Sequence, residues 1–329
     1  YQGINKLAVE MANAGDIICI AGLSKTSVTD TICDDILDVP LQATAIDPPT
    51  MAITITVNDS PFSGLEGKKV TSTLIRERLL SEAETNVAIT FKESKDKDSF
   101  EIGGRGELQL GVLIETMRRE GFEFMVSKPQ VITKNEDDQV LEPMEKVFLD
   151  IPEDNVGVLT EKLSLRKGKM TNLQNHGSGR VNIEFSIPSR GLIGFRSQFM
   201  TDTKGAGIMN KLFDGYAPWF GPIPQRNSGA IVSDRNGKVT TYACIGMVDR
   251  GELFLDVGTD VYDGMIIGER NRDGDLNVNI TKEKKLTNMR AAGSDNTVTL
   301  RPPRNLSLDQ CIEFIAEDEL VEVTPSNIR

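Results

Sequence analysis

The feature that most restricts how this chain folds is an order of hydrophobic periods that occurs twice. The first copy opens with "TMAITITVND", whose alternation is that of a half-buried strand. "KKVTSTLIRERLLSEAE" then places Val70, Leu74, Ile75 and Leu79 near one face of a helix, and "NVAITFKE" and "SFEIGG" read as a strand pair. "GELQLGVLIETMRREG" puts Leu110, Leu113, Ile114 and Met117 at helical spacing and stops at Gly121, ahead of the strand "FEFMVSK". The second copy runs from "EKVFLDIP" through the helix "NVGVLTEKLSLRKG", with Val156, Leu159 and Leu163 inward, to the strands "KMTNLQNH" and "RVNIEFSIP". It closes with "SRGLIGFRSQFMTDTKGAG", a glycine turn opening into an apolar helix, and the strand in "AGIMNKLF". Each βαββαβ order is that of the split βαβ, ferredoxin-like unit.

The expected architecture is α+β and multidomain, with ferredoxin-like domains at 47–138 and 139–224. The polar, acidic stretch 133–142 between them reads as a mobile linker. Residues 1–46 hold the strand-like "AGDIICIAGL" but too little to close a core, so they read as the end of a domain whose beginning is missing. The opening "YQGINKLAVEMANAGD" has neither a basic start nor an apolar signal core, and the chain reads as trimmed from a longer one. In 225–329 short alternating strands, "GKVTTYACIGMV", "GELFLDVG", "VYDGMIIGER", "DLNVNIT" and "NTVTLRPP", precede one helix. That helix has Ser307 and Gln310 at capping-box spacing and Leu308, Cys311, Ile312 and Ile315 on its apolar side. The expectation is a β-rich domain closed by one helix, with "EDELVEVTP" as a solvated acidic tail.

Several chemistries are excluded. With 39% hydrophobic and 26% charged residues and no apolar run near the ~20 residues of a membrane helix, the composition is that of a soluble protein in the cytoplasm. Cys19, Cys33, Cys244 and Cys311 form no C-x-x-C pair and suit buried thiols in a reducing compartment. The single histidine, His176, sits in the turn-like "NHGSGR", which leaves no Ser/His/Asp triad and no multi-histidine metal site. "GLEGKKVTS" fails as a phosphate loop, because two residues rather than four separate its glycines and Lys69 follows Lys68. No catalytic residue, metal site or cofactor is expected in these residues.

Charge is uneven. The net value is -12, yet from Arg166 to Lys211 eight basic residues (Arg166, Lys167, Lys169, Arg180, Arg190, Arg196, Lys204, Lys211) face only Glu184 and Asp202. From Lys282 to Arg304 six (Lys282, Lys284, Lys285, Arg290, Arg301, Arg304) face Glu283 and Asp295. Both αβ copies turn from strand to helix through an arginine-glycine pair, Arg105-Gly106 and Arg190-Gly191. Two readings stand for these arginines: soluble turn residues beside a tight glycine turn, or anion ligands where the backbone approaches a phosphate at a helix N-terminus. Phe195 and Phe199, four apart, are expected to pack beneath as core. The connection from Thr281 to "NTVTL" is longer than a hairpin needs, and is either a floppy basic loop or a functional one that orders on binding.

A family likeness rests on these stretches. "GGRGELQLGVLIETMRREGFEFMVSKPQVI" resembles the third domain of ribosome-associated translational GTPases, and "EPMEKVFLDIPEDNVGVLTEKLSLRKGKM" resembles their fifth. "IPSRGLIGFRSQFMTDTKGAG", "KKLTNMRAAGSDN" and "DELVEVTP" are similar to the bacterial BipA/TypA family of such GTPases. The resemblance implies that 1–46 is the end of a β-barrel domain, that 225–329 is the family's own C-terminal domain, and that the nucleotide-binding domain, with its GTP and Mg2+, is absent. It implies a ribosome partner, 70S or 50S, rRNA contacts and an A-site tRNA end, with a monomeric chain. Arg190, Arg196, Lys204, Lys282, Lys284, Lys285 and Arg290 are the expected RNA ligands, with Arg105, Arg166, Lys167 and Lys169 as further rRNA contacts. A LepA-like factor and a protein-interaction scaffold that ignores ribosomes are the competing readings.

Overall fold

A computed structural model describes residues 8–23, 28, 30–33, 41–42, 47–94, 98–175, 177, 179–223, 226, 228–284 and 300–329. The chain divides into two compact units, 1–46 and 47–329. In the first, the described residues carry turns but no strand, and Ile17 and Ile20 of "AGDIICIAGL" are exposed. The strand expected there is not formed, because no described neighbour in this unit offers a ladder to pair with.

The second unit opens with β1 (Met51–Val57), α1 (Ser72–Thr85), β2 (Thr90–Glu93), β3 (Ser99–Gly104), α2 (Glu107–Arg119) and β4 (Phe124–Ser127). These strands lie side by side in the order β4-β1-β3-β2, every neighbour antiparallel. That is the order the split βαβ connection requires. The short β5 (Gln130–Val131) pairs with the start of β1. A hairpin of β6 (Lys134–Glu136) and β7 (Gln139–Pro152) follows, and α3 (Val156–Leu165), β8 (Lys169–Asn175), β9 (Arg180–Pro188), α4 (Phe195–Asp202) and β10 (Ile208–Pro218) complete the repeat. Its order, β10-β7-β9-β8, is the same one again.

Apolar faces account for both layers. Ile75 and Leu79 of α1 and Leu110, Ile114 and Met117 of α2 are fully buried against Ile53, Ile55, Phe100 and Ile102. In the second layer Leu159 and Leu163 of α3 and Phe195 and Phe199 of α4 bury against Val147, Leu149, Ile183 and Phe185. The phenylalanines are core, as their spacing suggests, with ring centroids 6.1 Å apart.

The stretch 133–142 is not a loose linker. Lys134 pairs with Leu141 and Glu136 with Gln139 across a two-residue turn in which Asp137 and Asp138 have φ of 49° and 60°. Two left-handed residues make the turn whose twist suits a hairpin, and Asp tolerates that conformation.

The next strands are β11 (Ala230–Ser233), β12 (Gly237–Lys238), β13 (Gly251–Leu253), β14 (Asp260–Val261), β15 (Ile266–Arg270) and β16 (Leu276–Val278). They form a sheet ordered β13-β15-β11-β16 and a separate β12-β14 pair, around Ile231, Val239, Val261, Ile267 and Ile280. Within "GKVTTYACIGMV", expected as strand, Thr241–Ile245 is helix α5: the Thr240 hydroxyl accepts from the Ala243 N–H and starts a turn.

The last helix, α6 (Leu308–Phe314), has its capping box from Ser307 and Gln310, but it does not close the β-rich part. Leu308, Ile312 and Ile315 join the core of the first αβ layer. The acidic tail follows it there: Leu320–Val323 is a strand, β17, antiparallel to β4, with Val321 and Val323 buried. Two apolar side chains at period two outweigh the surrounding acids, and the pairing covers an otherwise bare edge.

Shortening Ile312 to Ala should therefore destabilise the first layer by about 2 kcal/mol or more. Hydrogen exchange of the β4 amides should rise with it, while Ile267→Ala in the β-rich core should leave β4 protected. Equal effects of the two changes on β4 would place α6 elsewhere.

Candidate nucleic-acid interface

At the turn between β9 and α4, Gly191 packs so closely that a Cβ there would lie 2.6 Å from the Arg166 carbonyl oxygen. Arg166 answers by donating from Nη1 to the Gly191 and Ile193 carbonyls, at 3.0 and 2.8 Å, and from Nη2 to Gln198 Oε1 at 3.2 Å. Its guanidinium lies over the Phe195 ring, and burial pulls its pKa down from the ordinary arginine value. Arg190 also turns inward. Its Nε and Nη2 donate to the two carboxylate oxygens of Glu142, Nη2 also donates to the Gly221 carbonyl, and the group stacks 3.7 Å from the Trp219 ring centroid. The Arg190 side chain is 12% exposed and that of Glu142 not at all.

The N-terminus of α4, where an external anion would bind, is occupied by the chain's own acids. Gly194, with φ 71°, donates its N–H to Glu107 Oε2 at 2.9 Å, and the Glu313 carboxyl lies against its α-carbon with no room for a Cβ. Glu107 comes from α2 and Glu313 from α6, so this turn joins the two αβ layers and the last helix. Burial raises both carboxyl pKa values, that of Glu313 to about 7. No sequence pattern announced this meeting of Glu107, Glu313, Arg166 and Gln198, because its members come from four separate segments.

Of the other expected ligands, Arg196, Lys204, Lys167 and Lys169 are exposed. Lys167 and Lys204 hold φ of 67° and 51° at the ends of α3 and α4. Arg166 bonding to Gly191 puts Lys167 and Lys169 at the end of the helical layer where α4 begins, near Arg196. Lys204 stands at the other end, where Asn155 Nδ2 donates to the Asp202 carbonyl. Arg105 is half-buried with its Nε lacking a hydrogen-bond partner, and Lys211, paired with Glu145 at 3.0 Å, packs on the Arg105-Gly106 turn. Lys282 and Lys284 are exposed just beyond β16, the Lys282 carbonyl accepting from the Thr240 hydroxyl. Lys285, Arg290 and His176 lie outside the described residues. Among the described residues no cluster of His, Cys, Asp and Glu is arranged to hold a metal, and no helix is long and apolar enough to cross a membrane.

The second αβ layer has a counterpart among known families: residues 139–227 match the family model of the elongation factor G C-terminus. Residues 228–329 match that of the TypA/BipA C-terminal domain, which favours this family over a LepA-like factor. The whole chain is 48% identical to the large ribosomal subunit assembly factor BipA of Escherichia coli (strain K12), covering 54% of that protein. It is 45% identical to the proteins of the same name in Bacillus subtilis (strain 168) and Synechocystis sp. (strain ATCC 27184 / PCC 6803 / Kazusa), again over its full length, covering 54% and 55% of them. The chain belongs to the BipA/TypA family, and it spans about half the length of these relatives.

The Glu313 carboxyl gives the junction a pH signature. A carboxyl with a raised folded pKa binds more protons folded than unfolded between its two pKa values, so stability falls as pH rises from about 4.5 to about 7 and levels off above. Arg166, Lys128 and Arg304 oppose the shift and Glu107 adds to it. Glu313→Gln should flatten that decline and melt higher than the parent at pH 8 by circular dichroism. An unchanged pH profile would show that Glu313 is solvated.

Proposed function

We propose that the chain is the ribosome-binding half of a BipA-type translational GTPase, acting in assembly of the large subunit or in stress-related translation. The observation that carries this reading is the chain-long identity of 45–48% to proteins named large ribosomal subunit assembly factor BipA. In this reading 1–46 is the end of a β-barrel domain, 47–138 and 139–224 are the third- and fifth-domain equivalents, and 225–329 is the family's own module. GTP and Mg2+ belong to the part of such proteins that this chain does not span. The module docks at the factor site of the 70S or 50S particle as a monomer in the cytoplasm.

The charge distribution supports an RNA partner. A chain of net charge -12 meets a polyanion only where its cations face outward, and Arg196, Lys167, Lys169, Lys204, Lys282 and Lys284 do so. Each is exposed, and none has an ion-pair partner among the described residues. These are the proposed phosphate ligands. Lys282 and Lys284, at the mouth of the basic connection, are the ones assigned to the A-site tRNA end.

Co-sedimentation of the chain with purified 50S and 70S particles tests the reading. Removing Lys167, Lys169 and Arg196 together, as alanines, should weaken pelleting and lower the logarithmic salt slope by roughly two to three units. The melting temperature should hold, since all three side chains are exposed. A parent chain that stays in the supernatant at low salt would favour the scaffold alternative.

A further inference from the structure

The connection from the second αβ layer to the β-rich part is pinned at both ends by an arginine. At its start, Arg190 and Glu142 grip three consecutive residues. Arg190 stacks on Trp219 and donates to the Gly221 carbonyl, while Glu142 Oε1 accepts from the Phe220 N–H at 2.8 Å. Glu142 is fully buried, so the pair is closed from solvent on its acidic side. Further on, Arg226 Nη1 donates to the Phe314 carbonyl at 3.0 Å, both its Nη atoms reach the Glu319 carboxylate at 3.1 Å, and its guanidinium lies 4.4 Å from the Phe314 ring centroid. Short hydrophobic contact alone does not hold a connection in one geometry. Bidentate arginine-carboxylate pairs with additional carbonyl acceptors do, because planar fork and acceptors fix both distance and angle.

We infer that Arg190 is a positioning residue: by clamping residues 219–221 it holds the exposed cations Lys167 and Lys169, which follow α3, and Arg196 of α4 in one fixed relation to Lys282 and Lys284 beyond β16, so that they engage RNA as a single bivalent surface. The inference rests on the ribosome reading above, but the clamp itself does not. Two linked patches bind far more tightly than either alone only when their spacing lets both engage at once. Loosening the clamp keeps every exposed cation and still lets both patches reach their phosphates, but the second does so at a lower effective concentration because the spacing is no longer fixed. That outcome differs from losing a phosphate ligand, which would remove about one unit of salt slope.

Trp219 is the only tryptophan in the sequence and is 45% exposed, so its fluorescence reports the clamp directly. In the full 329-residue chain, Arg190→Ala and Arg190→Lys should both shift Trp219 emission and increase its quenching by acrylamide, with circular dichroism confirming the fold. Lysine keeps the charge but has no fork to span Glu142 and Gly221, so it should not restore the parent signal. Binding to 50S particles should weaken about tenfold or more in both variants, at an unchanged salt slope. Trp219→Ala, which removes the stack at a half-exposed position, should weaken binding in the same way should the arginine variants fail to fold. The inference is overturned by unaltered Trp219 emission in Arg190→Ala, by affinity restored in Arg190→Lys, or by a salt slope that falls by one unit. If the parent chain does not pellet with ribosomes, the ribosome reading fails and the bivalent surface with it, whereas the fluorescence result still decides the clamp.

Discussion

Four glutamates with almost no exposure, Glu123, Glu142, Glu145 and Glu322, determine how the segments of 47–329 meet. A buried carboxylate costs several kcal/mol unless donors surround it, and in each case the donors come from elsewhere in the chain. Glu123, just before β4, accepts from the backbone N–H groups of Gly64, Glu66 and Gly67 and so fixes the loop between β1 and α1. Glu142 and Glu145 on β7 take Arg190 and Lys211. Glu322 on β17 accepts from Asn58, Ser60 and the Tyr262 hydroxyl, which ties the last strand to the first loop and to the β-rich part. Moving the donating segments away would leave a carboxylate unpartnered in the interior, so these contacts specify arrangement more than they add stability.

The C-terminal residues show what this specification accomplishes. Arg329 bonds to Glu66 and lies near Glu322, the Thr324 hydroxyl bonds to Glu66, and Asn327 Nδ2 donates to Glu66 at 2.8 Å. Segments some 260 positions apart thereby share one polar network beside the β17-β4 ladder. The tail closes the layer that began the unit. That closure also gives α6 its place, because β17 follows it by five residues and Leu308, Ile312 and Ile315 enter the first core, while Phe314 packs edge-on against Phe254 of the β-rich part.

Much of this fold was legible in the sequence, and the failures have a common cause. The two βαββαβ orders follow from local periodicity, which each segment carries within itself. Periodicity also announced α6, its capping box and its apolar positions. It did not say which core would receive Leu308, Ile312 and Ile315, since any apolar surface satisfies them. "ELVEV" read as solvated because its acids dominate the composition, while the two valines that decide its burial are visible only once β4 offers an edge. The hairpin at 134–141 was hidden for a similar reason: Asp137 and Asp138 are turn formers as well as solvating charges.

The candidate site divides along a line that counting charge could not draw. The basic island from Arg166 to Lys211 is a sum over inward and outward groups. Arg166 and Arg190 are drawn in, as are Arg226 and Arg329 elsewhere, whereas Lys167, Lys169, Lys204, Lys282 and Lys284 stand out with Arg196; Lys211, on the buried Glu145, is the lysine that departs from this division. The difference in residue type has a physical basis. A guanidinium is weakly hydrated and offers five donors in a plane, which suits it to a buried carboxylate flanked by carbonyls; an ammonium is strongly hydrated and keeps its charge in water. The inner arginines therefore set shape and the outer lysines set field. A substitution between the two residue types would be costly inside and mild outside, and for that reason residue type carries information about this surface that the net charge of either island does not.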